Sequence, residues 1–110
     1  MSAIRLTMAQ GLVRYLMKQH TIVGGEEVPL FPGIMGIFGH GNVTCLSEAL
    51  EAVKDTFPTW RDQNEQSKAL AAIAFAKAKR RRQIMLATSS IGPGATSMVT
   101  AAGVAYPARP

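Results

Sequence analysis

Behind Thr7 and Gln10, a capping-box pair, the apolar residues Ala9, Leu12, Val13, Leu16 and Met17 recur at helical spacing. They predict a first helix from Thr7 to about His20. Thr21-Ile22-Val23 and Glu26-Glu27-Val28-Pro29 flank Gly24-Gly25, a tight-turn pair, and read as a short polar hairpin. Ile34 to Phe38 is an unbroken apolar run between Pro32-Gly33 and Gly39-His40-Gly41-Asn42, the pattern of a buried parallel strand ending in a ligand-facing loop. Leu46, Ala49, Leu50 and Val53 then mark a helix near Thr44 to Lys54. Phe57 to Trp60 has room only for a short strand, and Asn64 is a natural cap for an alanine-rich helix running to about Lys79. Gln83 to Thr88 reads as another buried strand. Gly92-Pro93-Gly94 breaks the chain, and Ala95 to Ala105 continues as a helix of small residues.

Strands alternating with helices of these lengths imply an α/β fold, a three-layer open parallel sheet with helices on both faces. Three strands are few for such a sheet. The prolines of Tyr106-Pro107-Ala108-Arg109-Pro110 oppose both a helix and a central strand, so the expectation is an incomplete domain whose exposed edges and apolar faces favour self-association.

Composition narrows the function classes. The 110 residues suffice for one small domain, and 47% of them are apolar, against disorder. Much of the formal charge of +5 lies in Lys77, Lys79, Arg80, Arg81 and Arg82, at the predicted end of a helix, where cations complement the dipole and stay hydrated. No aromatic residues interleave with them as a single-strand stacking platform requires, so nucleic acid is not expected as a partner. Cys45 is the sole cysteine, which excludes an internal disulfide, and no Cys/His spacing suggests a metal site. Arg5, Arg14 and Lys18 interrupt the first twenty residues, unlike a signal peptide or membrane span. No membrane partner is expected, and the expected location is cytoplasmic.

The candidate chemistry lies at two strand-to-helix junctions, Glu65-Gln66 and Thr88 to Thr96. In an open α/β sheet such junctions share the rim where ligands bind. Alone, Glu65 is a first-turn acid favoured by the helix dipole, and Gly92-Pro93-Gly94 is a turn that can approach a ligand closely or offer amides to phosphate. It is not a Walker sequence. His40, in its glycine-flanked loop, is a stronger candidate than His20, which is placed to meet helix-terminal carbonyls.

In their order, Gly39 to Asn42, Glu65-Gln66 and Thr88-Ser89-Ser90-Ile91-Gly92-Pro93-Gly94-Ala95-Thr96 resemble the amino-terminal pyrimidine-binding (PYR) domain of thiamine diphosphate enzymes, the group containing acetolactate synthase and benzoylformate decarboxylase. Within that group Arg5 to Gln10, Ile37 to Val43 and Thr88 to Gly94 are most similar to the inositol-pathway hydrolases that cleave a carbon-carbon bond of a cyclic diketone, a family also labelled malonic semialdehyde oxidative decarboxylase.

The resemblance implies a truncated PYR-type fold over residues 1–110, without the central domain and without the diphosphate-binding domain that holds magnesium. It implies thiamine diphosphate as cofactor, a small cyclic diketone as substrate and a homo-oligomer in which two chains complete each site. Glu65 is the implied catalytic and cofactor-binding residue, sharing a proton with the pyrimidine nitrogen in a buried interface that favours general acid-base chemistry. Gly92, Pro93 and Gly94 are implied cofactor-binding residues, and His40, Gly41 and Asn42 a substrate-side loop. Ser67-Lys68 departs from the small or apolar pair usual after Glu-Gln, and Ser97 stands where relatives usually carry Asn. The isolated chain is expected to be inactive. The alternatives are a non-enzymatic interaction module and a decarboxylase or acetolactate synthase-like enzyme of the same cofactor.

Overall fold

A computed structural model describes residues 3–36, 39, 41–61 and 64–108. Ten elements follow one another: α1 (Met8–Met17), β1 (His20–Val23), β2 (Glu26–Pro29), β3 (Ile34–Gly36), α2 (Gly41–Thr44), α3 (Leu46–Glu51), β4 (Thr59–Arg61), α4 (Glu65–Ala78), β5 (Leu86–Thr88) and α5 (Pro93–Ala108).

β3 is the middle strand of a parallel sheet ordered β4-β3-β5, with Ile34 opposite Thr59 on one side and Leu86 on the other. The chain leaves β3 through α2 and α3 to reach β4, then crosses through α4 to the far side of β3. That reversal makes the carboxyl end of β3 a topological switch point, where strand-to-helix loops part and leave a crevice. β1 and β2 form the separate antiparallel hairpin, turned by Gly24 and Gly25 at φ +60° and +85°.

The two helical layers differ in composition. Val13 of α1 and Ala49 and Leu50 of α3 close with Ile34 and Phe57 into an apolar core, flanked by Leu16, Leu46, Val53 and Leu86. α4 instead packs on β3 and β5 and along α5, through a stripe made of Glu65, Lys68, Ala72 and Ala76, with Ala101 of α5 fully buried. Alanines let two helices and a sheet approach closely, so this layer is thin.

Several element ends differ from expectation for identifiable reasons. α1 stops at Met17, capped by the Lys18 amide on the Tyr15 and Leu16 carbonyls, so His20 opens β1, although its Nδ1 lies 2.9 Å from the Lys18 carbonyl. The expected helix over Thr44–Lys54 begins earlier, at Gly41, and is interrupted at Cys45, which makes no side-chain cap. After Glu51 it tightens into i→i+3 bonds such as Val53 to Leu50 and Thr56 to Val53. Phe57 belongs to the core rather than to the strand, and Pro58, lacking an N–H, only accepts, from the Ile34 amide. Gln83 and Ile84 bond back to Pro29 and Leu30, which leaves only Leu86–Thr88 to pair as β5. α5 starts two residues early because Pro93 suits the first helical position, and against expectation it runs through Pro107 to Ala108. Ile37 and Phe38, the expected end of the first strand, lie outside the described residues.

The accessible surface is 7451 Å², against about 5,900 Å² for a closed monomer of this mass. The excess is partly apolar, with Met8, Leu12 and Tyr15 exposed on α1 and Val99, Val104 and Tyr106 on α5. Met8 is the most exposed of these, at 88%. The Lys54–Glu51 pair at 2.7 Å holds the Lys54 ammonium above its usual pKa through that hydrogen bond and charge, but both groups are in water and add little to stability.

Leu50, 2% exposed at the centre of the apolar core, should cost about 2–5 kcal/mol when replaced by alanine. Asn64→Ala, which removes the 2.8 Å cap on the Ser67 amide, should cost about 1 kcal/mol. Urea denaturation of both variants checks the order; equal losses would contradict it.

Candidate functional site

Glu65 is the first residue of α4, and Asn64 caps that helix through its side chain. An acid in a first turn is favoured by the helix dipole, and such a residue is ordinarily in water. Glu65 is only 8% exposed, because its side chain runs from the β4–α4 junction to the β5–α5 junction. There the Ser90 amide donates to Oε2 at 3.3 Å. Gly94, in the first turn of α5, lies against the same carboxylate: a methyl at Gly94 would overlap Oε2 and stand 2.7 Å from Cδ. The helix terminus and the amide offset part of the desolvation of a buried carboxylate, and the missing side chain at 94 makes the room.

Three consecutive residues, starting with the last of β5, are held by two helices, α4 and α2. The Lys68 ammonium donates to the Thr88 carbonyl, the Asn42 amide donates to the Ser89 carbonyl at 3.4 Å, and the Ser90 amide donates to Glu65. Ser90 also abuts Gly39, where a methyl would stand 2.6 Å from Oγ. The segment from Thr88 to Ser90 therefore joins the loop after β3, the start of α4 and the start of α5.

The expected site residues are thus partly assembled. Glu65 and Gly94 touch; Pro93 opens α5; Gly92, at φ +69°, makes the turn, and a methyl there would meet nothing within 4 Å. Asn42 joins through Ser89. The loop expected at Gly41 and Asn42 is instead the first turn of α2, with the Asn42 backbone amide bonded to the Gly39 carbonyl. His40 lies outside the described residues. Lys68 is the residue that sequence reasoning missed. It stood out only as a departure, yet its position three residues after Glu65 puts it on the same helical face, with Ala72 and Ala76 continuing the stripe. It is 0% exposed, which is rare for lysine.

Among the described residues no cluster of three His, Cys, Asp or Glu is placed to hold a metal ion, and no helix is long and apolar enough to cross a membrane.

Compared with curated proteins, the chain is 52% identical over 105 residues to the 3D-(3,5/4)-trihydroxycyclohexane-1,2-dione hydrolase of Geobacillus thermodenitrificans. Its named homologues are hydrolases. It is 47% identical to the second hydrolase of that name in Bacillus cereus and 46% identical to the one in Bacillus thuringiensis, again over 105 residues. Each alignment covers 96% of this chain, and the chain spans about 16% of the length of these relatives. No family model matches it.

Two glycines of α5 separate the site from the helix. Gly94→Ala must push the Glu65 carboxylate aside and should cost about 1–3 kcal/mol. Gly103→Ala meets nothing within 4 Å and should stabilise by up to about 1 kcal/mol through helix propensity. Thermal melts of the two variants should move in opposite directions; a stabilising Gly94→Ala would contradict the contact.

Proposed function

We propose that this chain is the pyrimidine-binding part, of PYR type, of a thiamine diphosphate-dependent hydrolase that opens a carbon-carbon bond of a cyclic diketone in inositol breakdown. The observation that carries the reading is the burial of the Glu65 carboxylate against Gly94 at the switch point of a parallel sheet. The relatives near half identity, which are hydrolases by name, supply the reaction class.

The residues present fit a flat heteroaromatic ring with a basic nitrogen. One carboxylate oxygen is engaged by the Ser90 amide, while Oε1 accepts no hydrogen bond from the described residues. Gly92 and Gly94 have no side chains to hold a ring off, and Gly92 faces open space. When bound, thiamine diphosphate supplies a carbon nucleophile at its thiazolium C2. Glu65 would face the ring nitrogen through Oε1 and could share a proton with it there, and its burial would keep bulk water from levelling that exchange. Ser90 fixes the rotation of the carboxyl by holding Oε2. Pro93, rigid at the first position of α5, sets the path of the turn between the two glycines. His40, Gly41 and Asn42 lie in sequence at the end of β3 and are assigned to the substrate side.

Anchoring of the diphosphate and magnesium is assigned to residues beyond this stretch, within the remaining length that the relatives possess. A second copy is assigned to cover the site, in keeping with the extra apolar surface on α5. On this reading the isolated stretch is inactive.

Glu65→Gln in the full-length protein should slow exchange of the cofactor's C2 proton by a factor of about 10² or more, while calorimetry still registers thiamine diphosphate with magnesium. Exchange at the wild-type rate would remove Glu65 from the mechanism, and absence of binding by the unmodified full-length protein would remove the cofactor.

A further inference from the structure

Lys68 and Glu65 leave one face of α4, one turn apart, and both are buried. The two positions are separated by about 4.5 Å along a helix axis, and the Thr88 carbonyl and the Ser90 amide sit on the two peptide units that flank Ser89, so neighbouring side chains of one helix face can reach both. That is the arrangement here. The Lys68 ammonium takes the Thr88 carbonyl, and the Glu65 carboxylate takes the Ser90 amide.

We infer that Lys68 is a positioning residue for the Glu65 carboxylate: by tethering the end of β5 to α4 it sets where the Ser90 amide stands, and so how the carboxyl is turned. The inference rests on the proposed function for its consequence, because a carboxyl whose Oε2 is not held does not present Oε1 in one direction. Its structural part stands on the apoprotein alone. A lysine ammonium loses its hydration on burial, which a purely space-filling residue at this position would not, so a specific polar contact must offset that loss. The bond to the Thr88 carbonyl is such a contact, and it lies at the rim of the site rather than in the alanine layer beneath. Asn42 braces the Ser89 carbonyl from the opposite junction, and because that carbonyl and the Ser90 amide belong to one peptide group, this peptide is held at both ends.

The tether acts through its donor rather than through charge on Glu65, and two substitutions separate these. Lys68→Met keeps the length and apolar stem and removes the donor. Lys68→Gln keeps a donor and removes the charge. Hydrogen exchange measured on the full-length apoprotein should show the Ser90 amide exchanging about tenfold faster in Lys68→Met, with β3 and β4 unchanged, and within about threefold of wild type in Lys68→Gln. Thiamine diphosphate with magnesium should bind about tenfold more weakly to Lys68→Met, and Lys68→Gln should recover most of that loss. Unchanged Ser90 exchange in Lys68→Met overturns the inference, as does a rise spread evenly over the sheet, which marks a general stabilising role. Equal effects of Met and Gln overturn it too, since the donor would then be irrelevant. If the wild-type protein binds no thiamine diphosphate, the proposed function fails separately, and the exchange measurements alone decide the role of Lys68.

Discussion

A carboxylate has been taken out of water where a helix begins, and the rest of the site is arranged around that fact. Glu65 is tolerated in its place because a helix terminus, a backbone amide and a glycine converge on it. None of these comes from its own strand. The Ser90 amide and Gly94 belong to the junction after β5, which reaches Glu65 because the strand order β4-β3-β5 places the openings of α4 and α5 on either side of the end of β3. An order in which β4 and β5 lay side by side would put no switch point between them. The topology creates the crevice, and the carboxylate is what it encloses.

The two faces of the sheet divide stability from chemistry. On one, Val13, Leu50, Ile34 and Phe57 form a compact apolar cluster. On the other, alanines bring α4 and α5 close together and contribute less burial per residue, yet this is the face that buries Glu65 and Lys68. Small residues there let a helix carrying ionisable groups sit near the strand ends, within reach of backbone partners that satisfy them. The cost is a layer whose outer surface remains apolar at Val99, Val104 and Tyr106.

Much of the fold was legible in the sequence because local signals agreed. The Thr7–Gln10 capping box, the glycine pair of the hairpin and the Asn64 cap each fixed a boundary that the structure reproduces. Boundaries failed where tertiary contacts overrode local pattern: Gln83 and Ile84 pair with the hairpin instead of the sheet, and Phe57 turns into the core ahead of its strand. Pro107 was read as opposing a helix, yet α5 runs through it to Ala108. In the site, the approach of Glu65 to the Gly-Pro-Gly turn was foreseeable from their placement at two junctions of one sheet. The burial of Lys68 was not read, because lysine is ordinarily solvated and only its register with Glu65, Ala72 and Ala76 hinted otherwise. Asn42 was expected in a substrate-side loop, and the contact of its side-chain amide with the Ser89 carbonyl was not read, because no sequence pattern announces such a partner.

The most direct test of the central claim, that position 65 meets a thiamine ring, is an experimental structure of the full-length protein crystallised with thiamine diphosphate and magnesium. The account predicts Oε1 of Glu65 within hydrogen-bonding distance of a pyrimidine nitrogen, with the ring beside Gly92 and Gly94. A ring bound away from this rim, with Glu65 still closed against Gly94 and Ser90, would contradict it.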